Sequence, residues 1–480
     1  MSDTSQGNAF LHGALPSVFL KTATPIILIM LVNGSFTLVD AYFLGEFVGA
    51  SALTAVTSMF PAFMMLVALS TLVSNGFSSV MARLLGAGGG EKARSAFAQA
   101  ITLSLLVCAV LMSLFFFGGH AFALLVSNGA EDIAAMSYSY MAILIFFSPL
   151  GFILGINGDS LRCEGHVGFM ALVSLISVIL NGLFNYVFIV TFDMGVAGSA
   201  YGTILAQLVS IVAVAVFRLT HKNPMKLRVF TLSLGRSYWS KYLALGAPSS
   251  LSYVGLALSS SATLYNLQLW SEASYDTTVA AFGIITRLMT FIFLPLLGLS
   301  MAFQTIIGNN VGGQKWDRAN SCITIALTTS FVYSVTMQII VWSVKDTFGD
   351  IFVDDAAIVS EVSRILPFTT MALFVFGPQL MITLFFQAVG DARRAAILGV
   401  VKTYCFILPL LFISPYIWGE WGIWYATPWA ELLGVLLTLT ILYRRYAKLG
   451  NPLGLYFVSE HQPSEKEAVL FSSSSQTEGA

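Results

Sequence analysis

Twelve long apolar runs leave this chain few folds to choose from. A spanning helix needs about 20 predominantly apolar residues. Runs of that order fall at 16–45, 52–83, 95–118, 132–158, 166–191, 196–217, 243–270, 276–309, 319–344, 358–388, 394–415 and 421–443. In lipid each backbone polar group must be satisfied within the protein, so such runs form helices. A β-barrel would show short segments of alternating polarity, and those are absent. Only 10% of the 480 residues are charged, against about 25% in a soluble domain. The expected fold is therefore an all-α integral membrane protein with twelve transmembrane helices.

The first run, PSVFLKTATPIILIMLVNGSFTLVDAYFLG, carries two residues that an inert anchor avoids. Pro25 removes a backbone hydrogen bond and kinks the helix. Asp40 puts a carboxylate in a spanning segment, at roughly 2.5–3.5 kcal/mol if it lies at mid-membrane. Charges retained there mark ion or substrate paths. The competing account is a hydrated carboxylate near the outer helix end, because Gly45 follows only about 7–8 Å further on. Pro25 and Asp40 are about four turns apart, which puts both near one face.

Loop charges orient the bundle. With both termini in the cytoplasm, Arg83, Lys92, Arg94, Arg162, Lys315, Arg318, Arg393 and Arg394 all fall inside. So do the basic residues of the loop 218–242, from Arg218 to Lys241, and Arg444, Arg445, Lys448 and Lys466 after the last run. The outer loops are mostly acidic, with Glu46, Glu131, Asp132, Asp193, Asp354, Asp355 and Glu420 among them. This asymmetry follows the positive-inside rule. The expected location is a plasma membrane (the inner membrane of a bacterium), multi-pass, with the first run acting as an uncleaved signal. The expected organisation is a cytoplasmic segment 1–15, an N-lobe 16–217, a basic linker 218–242, a C-lobe 243–445 and a flexible polar tail 446–480.

The two halves read as a repeat. At an offset near 226, LKTATP (20–25) meets LALGAP (243–248) and TLVD (37–40) meets TLYN (263–266). LGAGGGEKARS (85–95) meets VGGQKWDRANS (311–321), and LRCEG (161–165) meets FFQAVG (385–390). DMGVAGSAYG (193–202) meets EWGIWYATPW (420–429). Such parallel repeats suit a transporter whose two six-helix lobes, related by pseudo-two-fold symmetry along the membrane normal, rock about a central cavity.

Other function classes find no support. A net charge of −1 gives no nucleic-acid footprint. Cys108, Cys163, Cys322 and Cys405 lie far apart, and neither they nor the five histidines show metal-ligand spacing. No nucleophile–base pair or HExxH marks an intramembrane enzyme, so no cofactor and no metal is expected.

The chain resembles the multidrug and toxic compound extrusion (MATE) family. The resemblance rests on TPIILIMLVNGSFTLVDAYFLG in the first run, RLLGAGGGEKA after the second and QAVGDARRA after the tenth, with a diverged partner RCEGHVGFMA after the fourth. It covers roughly residues 15–445 and is similar to the DinF-like branch. It implies a twelve-helix exporter of cationic or amphipathic small molecules, driven by inward flow of protons or sodium. It further implies a coupling site in the N-lobe, working as a monomer in the lipid bilayer.

The polar residues of the N-lobe give that site its candidates. Ser174, Ser177, Asn181 and Asn185 recur at spacings of three, four and four, which places them on one helical face. Asparagine can donate to an ionised Asp40 or accept from a protonated one. Ser199, Thr203 and Gln207 share a face of the sixth run, and Thr203 stands where the resembling family has a cation-site threonine. The DinF-like branch often has a second acid where this chain has Asn185. Asp40 is then the one obvious acid, which favours protons over sodium. Cation coupling is expected at Asp40, Asn181, Asn185 and Thr203, with Pro25 as the helix kink. Asn33, Phe36, Tyr140, Asn157, Ser177, Ser199, Gln207, Asn266, Arg287 and Glu431 are further cavity candidates. The repeat pairs Asp40 with Asn266, so the lobes are unequal in chemistry. A rival function, flipping lipid-linked precursors, would need a cationic cavity, and only Arg287 and Lys402 offer buried bases.

Overall fold

A computed structural model describes residues 8–127, 130–221, 227–271 and 275–458, the side chains of 35–38, 41, 50 and 53 excepted. Among these residues all regular structure is helical. The first span, α1, is Leu15–Phe43, with Pro25 inside it. α2 is Ala50–Ser58 followed by Phe60–Gly86, and α3 is Gly90–Val126. α4 joins Glu131–Phe146 to Ser148–Cys163. α5 is Val167–Asn185, prolonged by a π-helical turn at Tyr186–Thr191. α6 is Gly195–Thr220, α7 is Trp239–Trp270 and α8 is Tyr275–Gly312. α9 is Trp316–Ser343, and α10 joins Ala356–Thr369 to Leu373–Ala388. α11 is Ala392–Trp418, with a π-helical turn at Lys402–Ile407, and α12 is Glu420–Leu449.

Nine of these helices are each long and apolar enough to cross a bilayer. α4 and α10 cross as broken spans, bent by 47° and 50°. α7 is long but dilutes its apolar residues with serines, among them Ser249, Ser250, Ser259, Ser260 and Ser261. Among the described residues these make the twelve expected spans. Proline explains two of the breaks. Pro61 and Pro149 stand in the first turn of the second segments of α2 and α4, where a missing N–H costs nothing.

The chain forms two compact units. One is Thr24–Tyr253; the other is Val254 onward with the chain up to Ala23. The boundaries fall inside α1 and α7. In the first unit, Leu44, Met59, Phe115, Met141, Ile145, Ile189 and Ala200 share a buried core. In the second, Leu267, Ile284, Val362, Ile365 and Trp424 do so. Large apolar side chains such as Leu114, Phe117, Leu125 and Leu219 are exposed, as lipid-facing positions should be. Lipid offers no hydrophobic drive between helices, so close backbone approach and polar contacts hold them together. Gly76 on α2 and Gly246 on α7 show the first device. A Cβ on either would strike the facing backbone at Tyr242 or Leu72.

Each unit closes one end with polar contacts. In the second, Arg318 donates to the carbonyls of Phe10 (3.0 Å) and Gly13 (2.7 Å), and Asn8 donates to Asn309 at 2.7 Å. Asn320 exchanges bonds with the backbone of Phe457. In the first, Arg162 and Arg218, which the sequence suggests are loop charges, are buried. Arg162 bonds Asp159 and Ser78 at 2.7 and 2.8 Å. Arg218 bonds Asn157 at 3.0 Å and Glu164 at 3.3 Å.

Candidate functional site

Asp40 is buried near the C-terminal end of α1. It does not stand alone in water. Asn185 Nδ2 on α5 donates to its Oδ1 at 2.5 Å. Asn181, one turn earlier on the same face, also turns toward the carboxylate, as does Ser199 on α6. Asn181 Nδ2 donates to Thr203 Oγ1 at 3.2 Å, linking α5 to α6. Tyr140 on α4 is buried and close enough to feel the Asp40 charge. Four helices of one unit thus bring their polar residues to one carboxylate.

The donors and acceptors do not balance. Asn181 Oδ1 and Asn185 Oδ1 are buried without a hydrogen-bond partner. Each such group costs about 1–3 kcal/mol. The two together beside an acid, with the Ser199 hydroxyl turned toward it, form an oxygen-rich nest. It can accept a proton held by Asp40, or surround a hard monovalent cation with oxygens.

Local backbone features hold this geometry. The turns after Asp40 and Asn185, Leu44–Val48 and Tyr186–Thr191, are both π-helical and touch each other. Such widened turns recur at functional sites. Gly202 matters as much. A Cβ there would collide with Asn185 Oδ1 and lie 3.2 Å from the Asn185 backbone nitrogen. Gly198 and Gly202 are four apart on α6, the small-residue spacing of a close helix contact. Gly202→Ala is expected to push Asn185 off Asp40 and to cost about 1–3 kcal/mol, as overpacking does. Thermal unfolding in detergent checks this, and trimming Asn185 to Ala should restore stability without restoring transport.

The chain brings some candidates together and places others elsewhere. Asp40, Asn181, Asn185, Thr203, Ser199 and Tyr140 share the site. Ser177 and Gln207 are half-buried, Asn33 is exposed, and Pro25 is half-buried in α1. The side chain of Phe36 lies outside the described residues. Asn157 belongs to the Arg218 network. In the other unit Asn266 is buried and bonds its own helix at Ala262, Arg287 is exposed, and Glu431 pairs with Lys402. Among the described residues no group of three or more His, Cys, Asp and Glu could hold a metal ion.

The MatE family model matches residues 25–187 and 254–413. The chain belongs to the MATE family. Each matched block corresponds to most of one six-helix half. The chain is 24% identical over 423 residues to "Multidrug export protein MepA" of Staphylococcus aureus (strain bovine RF122 / ET3-1), covering 87% of this chain and 91% of that protein. It is 22% identical over 438 residues to "Probable multidrug resistance protein YoeA" of Bacillus subtilis (strain 168), covering 88% and 91%. A solved outward-facing multidrug resistance MATE family transporter of the MOP superfamily has the same fold, with a TM-score of 0.83 at 20% identity, covering 93% of this chain and 99% of that one. This MATE protein is a multi-pass membrane transporter with twelve transmembrane helices in two lobes, and not an enzyme.

Proposed function

We propose that this MATE protein is a secondary active multidrug exporter. It exchanges cationic or amphipathic compounds for external protons, or sodium, through Asp40. The observation that carries this is the buried Asp40 carboxylate held by Asn185, with the Ser199 hydroxyl turned toward it and unpartnered oxygens of Asn181 and Asn185 around it. The relatives named as multidrug export and resistance proteins support the substrate class. In this scheme Asp40 takes up a cation from outside, its bonds to α5 change, and α1 bends at Pro25 as substrate leaves. A bound cation shifts the conformational equilibrium only by its differential affinity for the two states. The coupling residue must therefore change partners between them. Both termini are placed in the cytoplasm, the protein in the plasma membrane as a monomer, and no cofactor is required beyond the coupling ion.

A single acid suits one proton per cycle. Sodium coupling has its own support, since the unpartnered oxygens with Asp40 and Thr203 make a hard-cation donor set. Substrate accumulation in cells expressing the protein, with proton and sodium gradients collapsed separately, decides between them. Collapsing the proton gradient is expected to raise accumulation to the level of non-expressing cells, with sodium removal having little effect. Export that survives the loss of both gradients would overturn ion-coupled exchange.

A further inference from the structure

The second unit holds a charged pair that the Asp40 scheme does not use. Lys402 Nζ on α11 meets Glu431 Oε1 on α12 at 2.8 Å, with the two side chains 19% and 7% exposed. Glu431 Oε2 is buried and has no hydrogen-bond partner. Gln379 on α10 donates to the main-chain oxygen of Glu431 at 3.1 Å. The Lys402 ammonium lies 4.8 Å from the centre of the Phe376 ring.

Depth narrows what could bind here. Lys402 is ten residues into α11 and Glu431 eleven into α12, roughly 15–17 Å along each helix. That is near the middle of a hydrocarbon core about 30 Å thick. A lipid headgroup sits at the interface and does not reach it. Charges at this depth face the bundle interior or a water-filled cavity rather than lipid, and substrate sites of secondary transporters lie near the midplane.

We propose that Lys402 and Glu431 form a contact site for the charged groups of a zwitterionic amphipathic substrate. The ammonium of the substrate takes Glu431 Oε2, and its carboxylate takes the Lys402 ammonium. Phe376 offers an aromatic face for its apolar part. The pair is neutral by itself, which sets the selectivity. A plain cation at Oε2 adds a second positive charge beside Lys402. A plain anion at Lys402 adds a second negative charge beside Glu431. A zwitterion matches both and leaves the site neutral. The inference rests on the export function and names one substrate class within it.

The test uses the purified full chain in proteoliposomes under an imposed ion gradient. Three forms of one aromatic amino acid are compared: the zwitterion, its methyl ester as the cation and its N-acetyl derivative as the anion. A lipophilic monocation serves as the reference substrate. Wild type is expected to move the zwitterion faster than the ester. Lys402→Met should shift that ratio toward the ester by about tenfold or more, and Glu431→Gln should shift preference toward the anion. The charge-exchanged double variant, Lys402→Glu with Glu431→Lys, keeps a neutral pair and should recover the zwitterion preference. That recovery separates charge matching from simple misfolding. Equal changes for all three forms, or a wild type that prefers the ester, would overturn the proposal while the export function stands. Wild type that moves the monocation and none of the three forms has the same consequence. If it moves no compound at all, the export function fails with it.

Discussion

Asp40→Asn is expected to abolish concentrative export while leaving the folded protein and its substrate binding in place. The substitution removes the charge and keeps the shape. Asn185 can turn its amide to meet the new one, so the α1–α5 bond survives in altered polarity. In the proposed scheme, what is lost is the group whose occupancy differs between states. Without a differential affinity for the coupling cation, the gradient no longer biases the conformational equilibrium. Initial efflux against a gradient should fall by at least an order of magnitude. Passive exchange of substrate down its own gradient should persist. Asp40→Glu provides a useful contrast, since it keeps the acid but crowds a buried site already closed by Asn185. Export assays in cells, paired with substrate binding to purified protein, check both halves of this expectation.

The second large effect concerns folding. Arg162→Met is expected to destabilise the first unit severely. Arg162 is fully buried and bonds Asp159 at 2.7 Å and Ser78 at 2.8 Å. The neighbouring Arg218 bonds Glu164 and Asn157 and lies 5.3 Å from the Phe97 ring centre. These contacts tie α2, α3, α4 and α6 at one end of the unit. Removing one partner of a buried pair leaves an uncompensated charge, which costs about 3–5 kcal/mol. The double variant Asp159→Asn with Arg162→Met removes both charges and should regain much of the loss. Yield and thermal unfolding in detergent report the result. Wild-type stability in Arg162→Met would contradict the role given to the network.

The twelve spans were legible because apolar run length is a direct consequence of bilayer thickness. The bends in α4 and α10 were not, since a proline shows where a helix can break but not by how much. The residues of the Asp40 site were readable to the extent that they share helical period. Ser174, Ser177, Asn181 and Asn185 line up by spacing, yet the structure brings only the last two to the carboxylate. Ser199 and Tyr140 ranked as secondary candidates, and both lie at the acid. Gly202 does not stand out as a polar residue would, because its part is to present no side chain where Asn185 needs room. The four-residue step from Gly198 was the available signal. Arg162 and Arg218 counted as loop cations because a charge beside a turn usually stays wet. Asp159 and Arg162, three apart on one helix, carried the hint of an ion pair. Lys402 and Glu431 are 29 positions apart on two helices, and no local pattern predicts that they meet.

The most direct test of Asp40 as the coupling residue is a paired flux measurement. Proteoliposomes holding the purified protein carry equal substrate concentrations on both sides under an imposed inward cation gradient, and substrate efflux and cation entry are recorded together. Wild type is expected to show cation entry that rises with substrate efflux, and Asp40→Asn to show neither entry nor uphill efflux. Coupled counterflow that persists in Asp40→Asn would contradict the account.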